Sequence, residues 1–219
     1  MKKIKGYTIK GKIKLLSGTR IGGSDTALQI GGVDNICIKH PVTLEPYLPG
    51  SSLKGKMRCE MEQALGKFSG NNSNEPCGCG RTDCLICRIF GPHKNMRHEL
   101  GPTRIIVRDA SLTSGGEIEI KTENMIDRQK GMATNPRQSE RVVSGSEFDF
   151  ALRLSEWDID SECRYTVDGK EYTAGAALLE FVKDAMRKMQ ASGIGSSVSR
   201  GYGHIKFENL TKDGEAFEL

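Results

Sequence analysis

Four of the seven cysteines in this chain lie close together, at Cys77, Cys79, Cys84 and Cys87. Thiolates at such spacing can converge on one tetrahedral zinc ion. Only the second pair has the usual two-residue gap, so His93 or His98 is an alternative ligand to Cys79. The surrounding sequence is polar and rich in glycine, which argues against a role in the hydrophobic core. We therefore predict a structural Zn²⁺ that holds together a loop without a core of its own.

A second candidate for binding chemistry is the segment 193–203, which contains four glycines and three serines. Glycine permits positive φ angles and lets a ligand approach the main chain, whose N–H groups can then surround an anion. Arg200 adds a planar set of donors that suits phosphate, and Ser199 and Tyr202 stand beside it. This composition favours a loop that binds a polyanion. A flexible connector between a helix and a last strand is the alternative.

The distribution of charge also indicates a polyanionic partner. Lysine and arginine number 32 against 28 acidic residues, so the net charge is only +4, but the basic residues are clustered. Such clusters are typical of nucleic-acid-binding proteins, although a solvated face explains any one of them. The two clusters inside the chain contain Lys54, Lys56 and Arg58, and Arg128, Lys130, Arg137 and Arg141.

Composition narrows the class of protein further. No apolar run approaches the ~20 residues that a membrane-spanning helix needs, and the basic N-terminus lacks the apolar core of a signal peptide. An odd number of cysteines argues against a framework of disulfides. We expect a cytoplasmic protein with no membrane partner.

The elements that must position these residues follow from hydrophobic periodicity. Apolar residues alternate along 7–15 and 148–154, which predicts strands, and further strands are expected at 104–110 and 205–207. Apolar residues recur at helical spacing along 53–68 and 178–189. The first of these helices should begin with a serine cap in Gly50-Ser51-Ser52.

This order of elements predicts an α+β fold with a ferredoxin-like (RRM-like) β-α-β-β-α-β core, an arrangement shared by RNA-recognition modules. Residues 1–219 would form a single domain. Three stretches are too long to be turns, and long insertions on a compact core are usually functional. These insertions are expected at about 17–51, 69–102 and 111–146.

With these pieces in place, the chain resembles the RAMP superfamily of CRISPR-associated proteins, and within it the backbone subunit of the type III-A (Csm) effector complex. The resemblance covers nearly the whole chain. Four motifs carry it in order: Ile21-Gly22-Gly23 with Ile30-Gly31-Gly32-Val33-Asp34, Tyr47 to Arg58, Asn135 to Arg141, and Ser199-Arg200-Gly201-Tyr202-Gly203.

The resemblance implies that several copies stack along a guide RNA beside other subunits, and that each copy cuts the paired target RNA at regular intervals. The catalytic aspartate of the family falls on Asp34, with Asp25 as its nearest rival. A divalent cation such as Mg²⁺ would assist, and the ribose 2′-hydroxyl can serve as nucleophile. Relatives often carry histidine where this chain has Arg20, so phosphate contact rather than acid–base catalysis is expected there.

The resemblance also implies which residues meet RNA. A helix start followed by positive charge forms an anion site, here assigned to the guide backbone. The predicted RNA-binding residues are Arg20, Ser51, Ser52, Lys54, Lys56, Arg58, Arg128, Arg137, Arg141, Ser199, Arg200 and Tyr202. The insertion 111–146 corresponds to the family's thumb, a hairpin that wedges between guide–target base pairs. Met125, Ile126 and Met132 would form the wedge, unless they pack back onto the core.

Two other functions are compatible with this sequence. One is a non-catalytic scaffold that binds guide RNA, with Asp34 in a structural role. The other is a RAMP ribonuclease that processes guide precursors; such enzymes commonly depend on histidine, and the four histidines here are scattered. The related type III-B backbone subunit is also compatible with the motifs.

Overall fold

The computed structural model of the chain describes residues 1–22, 33, 35–69 and 75–219. The strands are β1 Lys3–Leu15, β2 Tyr47–Leu48, β3 Phe68–Ser69, β4 Glu75–Pro76, β5 Ile105–Val107, β6 Ala110–Ser114, β7 Ile118–Ile126, β8 Ala133–Val142, β9 Glu147–Trp157, β10 Arg164–Val167, β11 Lys170–Thr173, β12 Ile205–Lys212 and β13 Glu215–Ala216. The helices are α1 Gly50–Leu65, α2 Leu85–Phe90 and α3 Ala174–Ser192, with 3₁₀ turns at Asp158–Asp160 and Val198–Arg200.

A seven-stranded antiparallel sheet forms the core. Its strands follow the order β13-β12-β1-β9-β6-β2, and β5 also pairs with β9. The long central pair is built as the alternation predicts: Ile9 and Ile13 of β1 are buried, as are Phe148 and Phe150 of β9, whereas Lys10 is exposed. The protein therefore has a mixed α/β fold dominated by a sheet.

Two helices cover one face of this sheet. Helix α1 buries Met57 and Met61, and α3 buries Phe181, Met186 and Met189. The two helices contact each other and the sheet, so the apolar stripe of each is removed from water. Both helices were predicted from the same periodicity, and the structure confirms them.

The entry into α1 differs from the prediction. No serine caps the helix; Pro49 stands at the N-cap, and the N–H of Gly50 donates to the Asp109 carboxylate at 2.7 Å. Asp109 lies in the short break between β5 and β6, so a residue distant in sequence satisfies this helix end. The break also corrects the limits of the insertion 111–146, because residues 111–114 belong to β6 and remain in the central sheet.

A buried ionic cluster joins the end of β9 to α2. The Asp160 carboxylate accepts hydrogen bonds from Arg88 at 2.9 Å and from Arg104 at 2.6 Å, and Asp160 and Arg104 are almost fully buried. Burial opposes ionisation of Asp160, but the hydrogen bonds from Arg104, the Trp157 N–H and Arg88, together with the charge of Arg104, hold the pKa of this carboxyl below its usual value. The cluster anchors α2, which carries the last cysteine of the group at 77–87.

None of the helices in the described ranges combines the length and the apolar character that a membrane crossing requires.

Candidate metal centre and RNA-binding surfaces

The four clustered cysteines converge in space. Their sulfur atoms all lie within 4.8 Å of one another. Cys77 Sγ is 3.7 Å from Cys79 Sγ and 3.9 Å from Cys84 Sγ, and Cys79 Sγ is 3.7 Å from Cys87 Sγ. A tetrahedron of thiolates with Zn–S bonds of about 2.3 Å has sulfur–sulfur edges of about 3.8 Å. These thiols therefore fit one tetrahedral metal ion without rearrangement.

The alternative histidine ligand is not required by this geometry. His93 contacts the same loop through its main chain, with its N–H donating to the carbonyl of Cys77 at 3.2 Å. Within the described residues, the group of three or more candidate ligands is the cysteine set alone, and neither His93 nor His98 joins it. The hydrogen bond from Cys87 lowers the pKa of the Cys84 thiol, whereas burial and the neighbouring sulfur atoms raise the pKa values of Cys77 and Cys87.

Helix α1 holds the first cysteine through two side chains one turn apart. Glu62 accepts a hydrogen bond from the Cys77 N–H at 2.8 Å, and Arg58 donates to the Cys77 carbonyl at 2.6 Å. Arg58 also donates to Glu62 and to the carbonyl of Gly91. Its donors are thus used inside the protein, and its guanidinium is mostly buried. The structure gives Arg58 a supporting role for the cysteine loop rather than the predicted place on an RNA surface.

The thumb insertion is a two-stranded hairpin that stands apart from the central sheet. Strands β7 and β8 pair with each other from Ile118 opposite Val142 at the base to Ile126 opposite Ala133 at the tip. At its tip Met125, Ile126 and Met132 are 52%, 58% and 63% exposed. These three side chains do not fold back onto the core, so they are available to an incoming partner.

An open groove runs between the hairpin and the glycine-rich loop. Its volume is about 810 Å³, and it is lined by Lys121, Glu123, Asn124, Met125, Ile126, Arg128, Arg137 and Arg200. Glu123 is held by Arg200 at 3.0 Å and by Lys121 at 3.1 Å, and these partners lower the pKa of its carboxyl. Four cations face one anion, so the groove carries a positive charge.

Tyr202 does not face this groove as a stacking platform. It is only 2% exposed, with Lys121 Nζ 4.5 Å and the Arg141 guanidinium carbon 5.1 Å from its ring centroid. Burial raises the pKa of its hydroxyl, and the neighbouring Glu123 adds to the effect. Tyr202 therefore fixes the junction between the thumb and the glycine-rich loop. Arg141 belongs to the same junction and is paired with Glu119 at 2.6 Å.

The glycines of segment 193–203 serve the chain's own packing more than ligand approach. A Cβ at Gly195 would collide with the carbonyl of Arg20, and one at Gly203 with the carbonyl of Ile194. The Ser196 N–H donates to the Arg20 carbonyl at 2.9 Å, and the Ile194 N–H donates to the Gly203 carbonyl at 2.9 Å. Only around Gly201, with φ of 85°, is the space open. Ser199 and Arg200 beside it are exposed.

A second cleft separates α1 from the glycine-rich loop. Its volume is about 310 Å³, and its lining is Ile21, Gly22, Ser52, Leu53, Lys56, Ile194, Gly195 and Ser196. Lys56 is paired with Glu60 at 2.6 Å, and Arg20 donates to the Ser196 hydroxyl at 2.9 Å. Ser51 is exposed and does not line the cleft. The pKa of Lys54 is lowered mainly by burial and, to a smaller extent, by repulsion from Arg58. The cleft thus brings together some of the predicted RNA-binding residues.

The predicted catalytic Asp34 and its rival Asp25 lie outside the described residues. The neighbour of Asp34 in the chain, Asn35, is described: its carbonyl accepts the Glu140 N–H at 2.8 Å, and its amide donates to the Ser139 hydroxyl at 3.2 Å. The Glu140 carboxylate accepts the Cys37 N–H at 3.0 Å. The segment after Asp34 is therefore fixed to the base of the thumb.

The described residues do not supply a site for a catalytic Mg²⁺. Their single cluster of candidate ligands is made of thiols, whereas Mg²⁺ selects carboxylate, carbonyl and water oxygens. The divalent cation expected for cleavage stays a prediction.

Comparison with known proteins gives consistent matches. The model of a family described as the RAMP superfamily matches residues 12–206. A protein named CRISPR system Cms endoribonuclease Csm3 from Methanothermobacter thermautotrophicus is 39% identical, covering 94% of this chain and 85% of its own length. A protein of the same name from Streptococcus thermophilus is 35% identical, covering 91% of this chain and 86% of its own.

Solved structures agree with these relatives. The crystal structure of a Csm3–Csm4 subcomplex from the type III-A CRISPR-Cas interference complex matches with a TM-score of 0.59 and 27% identity, covering 97% of this chain and 80% of the matched one. A cryo-EM structure of the type III-B Cmr-β complex bound to cognate target RNA matches with a TM-score of 0.59, 95% coverage of this chain and 61% of the matched one. At 17% identity the latter supports the fold alone.

Proposed function

Because the chain belongs to the RAMP superfamily, we propose that it is the backbone subunit of a type III-A CRISPR ribonucleoprotein, which binds guide RNA and cleaves complementary target RNA. The relatives named as endoribonucleases support the activity. The structural observation that carries the proposal is the basic groove of about 810 Å³ under an exposed apolar thumb tip. Such a groove can follow a phosphate backbone while the tip contacts bases.

Guide binding would use two surfaces. The cleft beside α1 offers Ser52, Lys56 and main-chain groups around Gly195, and the groove offers Arg200 and Arg128. Contacts of this kind bind the backbone irrespective of sequence, which suits a subunit that must accept any guide. Ser51, Lys54, Arg20 and Ser199 remain candidates at the margins of these surfaces.

Cleavage would follow the chemistry that RNA itself permits. The 2′-oxygen forms a bond to phosphorus while the bond from phosphorus to the 5′-oxygen breaks, which leaves a cyclic phosphate and a 5′-hydroxyl. The 2′ proton passes to the carboxylate of Asp34, and the 5′-oxygen takes a proton from water. In this scheme Asp34 orients and deprotonates the nucleophile, a task for which one positioned carboxylate suffices.

We also propose that the cysteine cluster holds a structural Zn²⁺. Zinc prefers four thiolates in a tetrahedron, and the sulfur–sulfur separations of 3.6–3.9 Å among Cys77, Cys79, Cys84 and Cys87 match that arrangement. Bound there, the ion would supply folding free energy and no chemistry. Arg58, which donates to the Cys77 carbonyl, and Glu62, which accepts from the Cys77 N–H, would orient this ligand.

At the level of architecture, the proposal includes one ferredoxin-like RAMP domain across residues 1–219. Its support is the order β12-β1-β9-β5 of the central strands, all antiparallel, with α1 and α3 on one face. Further copies of the chain and other effector subunits are the expected partners, and the match to a Csm3–Csm4 subcomplex supports membership of a multi-subunit assembly. The cytoplasmic location stays a prediction from the sequence.

The test is to purify the complex formed around this chain with its guide and to supply complementary RNA. We expect cuts at regular intervals, and we expect Asp34→Ala to abolish them while guide content and assembly stay unchanged. Asp25→Ala serves as the matched control and should cut normally. Cleavage by the Asp34 variant at the wild-type rate would leave the scaffold function as the better description.

A further inference from the structure

A third concavity lies on the outer edge of the thumb. It has a volume of about 590 Å³, and it is lined by Asn35, Asn135, Pro136 and Arg137. Arg137 also lines the basic groove that faces Arg200. This arginine therefore stands between the surface assigned to guide phosphates and the segment that follows Asp34.

The position of Arg137 on its strand directs it toward that segment. Side chains two residues apart on a strand share a face and lie about 7 Å apart, so Arg137 shares its face with Ser139. The Ser139 hydroxyl accepts the amide hydrogen bond of Asn35 at 3.2 Å. The guanidinium of Arg137 and the amide of Asn35 consequently border the same space.

Arg137 also differs from the other cations around this segment in its contacts. Lys39 forms an ion pair with Glu140 at 3.2 Å, and Arg141 forms one with Glu119 at 2.6 Å. Arg20 donates a hydrogen bond to the Ser196 hydroxyl. Apart from the main-chain pairing of β8 with β7, Arg137 makes no hydrogen bond or ion pair within the described parts of the chain, and its side chain is exposed. Its five donors are free to meet an anion.

We propose that Arg137 contacts the phosphodiester of the target strand that is cut, and that it stabilises the negative charge that develops on the non-bridging oxygens. This inference rests on the proposed function. A guanidinium suits the task because its forked donors match two phosphate oxygens and because it never gives up its proton. Asn35 and Asn135 border the same concavity and can donate to the neighbouring ribose or phosphate.

The target strand is favoured over the guide because the guide candidates lie elsewhere. Ser52 and Lys56 line the cleft beside α1, and Arg200 lies across the groove. Only Arg137 lines a space shared with Asn35, the residue that directly follows the proposed catalytic carboxylate. A phosphate bound here therefore lies next to that part of the chain.

The experiment compares Arg137→Ala with Arg128→Ala in the guide-loaded complex. Both arginines are exposed and unpaired within the described residues, and both line the groove, but only Arg137 lines the concavity. At saturating target and in a single turnover, Arg137→Ala should slow cleavage roughly 100-fold, the usual effect of removing one donor to a transition-state anion. Guide content and target affinity should each stay within about threefold of the wild-type values, because the variant loses only one phosphate contact. Arg128→Ala, which removes a proposed guide contact, should instead weaken guide binding and flatten its salt dependence, and its cleavage rate per guide-loaded complex should fall far less than 100-fold.

A second readout separates charge stabilisation from a structural role. Sulfur in place of one non-bridging oxygen at the cut phosphate should slow the wild type more than it slows Arg137→Ala, and Arg137→Lys should recover part of the rate. Cleavage by Arg137→Ala within threefold of wild type would overturn the inference. Loss of guide, loss of target affinity alone, or an unchanged sulfur effect would overturn it as well. A wild-type complex that cannot cut would overturn the proposed function and this inference together.

Discussion

The cysteine loop and the thumb hairpin are both long insertions on one sheet, yet they are stabilised in opposite ways. The cysteine loop is closed: Cys77, Cys84 and Cys87 are buried, and Arg58, Glu62 and Arg88 satisfy its main chain. The thumb is open, with an exposed apolar tip and arginines that lack partners within the described residues. An insertion whose main chain is held by buried side chains contributes stability, whereas one with exposed, unpaired side chains is ready for a ligand.

The largest effect that tests this contrast is loss of the metal ligands. Structural zinc contributes on the order of 10 kcal/mol at neutral pH, so Cys87→Ser should unfold the loop and lower the melting temperature strongly. Cys59→Ser is the control, because Cys59 lies on α1 outside the cluster. Elemental analysis and thermal melting of both variants provide the measurement. Protein that contains no zinc when purified without chelators would contradict the proposed structural Zn²⁺.

The next effect concerns the buried ionic cluster beneath the same loop. Asp160→Asn leaves Arg104 and Arg88 buried without a counter-charge, which typically costs about 3–5 kcal/mol. Asp158→Asn is the matched control, because the Asp158 carboxylate is exposed and its ion pair with the N-terminal amine is long, at 3.9 Å. Denaturant unfolding should separate the two variants clearly. Equal stabilities would mean that the cluster is not what anchors α2.

The smallest effect on stability is expected at the thumb tip. Replacing Met125 and Ile126 together by serine should change the free energy of unfolding by no more than about 0.5 kcal/mol, since both side chains are exposed. The same variant should cut target RNA more slowly or at altered spacing, because the apolar wedge is lost. Lys130→Ser controls for a change in the exposed turn alone. A large loss of stability with normal cleavage would show that the tip packs onto the core in solution.

The sequence predicts what depends on neighbours in the chain. Period-two and helical patterns gave the strands β1 and β9 and the helices α1 and α3, and the short cysteine spacing gave the cluster. It does not reveal contacts between distant segments. Arg58 was assigned to RNA because it follows a helix start together with Lys54 and Lys56, but its partners are Cys77 and Gly91, 19 and 33 residues away. Tyr202 was assigned to an RNA surface because it stands beside Arg200 in the glycine-rich loop, although its ring lies between two residues of the thumb.

Asp109 and Glu140 illustrate the same limit. Neither carries a local signal, yet one caps the helix α1 from 59 residues away and the other holds the segment at Cys37 from 103 residues away. Carboxylates of this kind become recognisable only once the sheet has brought their partners together. A search of the sequence for acidic residues just outside strand ends would find Asp109, along with many that do nothing, but it would miss Glu140, which lies within β8.

The thumb extends far from the base that joins it to the rest of the protein, so a small rotation at this base gives a larger displacement at the tip. The nine residues of β7 span about 30 Å, so a rotation of one degree at the base displaces the tip by about 0.5 Å. That base is held by main-chain bonds between Thr19 and Val142 at 2.8 and 3.0 Å, and between Asn35 and Glu140 at 2.8 Å. In the proposed complex, the position of the tip on RNA would therefore depend on these hydrogen bonds and on the contacts of Tyr202 and Arg200 with the thumb, and a displacement of the tip would be transmitted to Asn35.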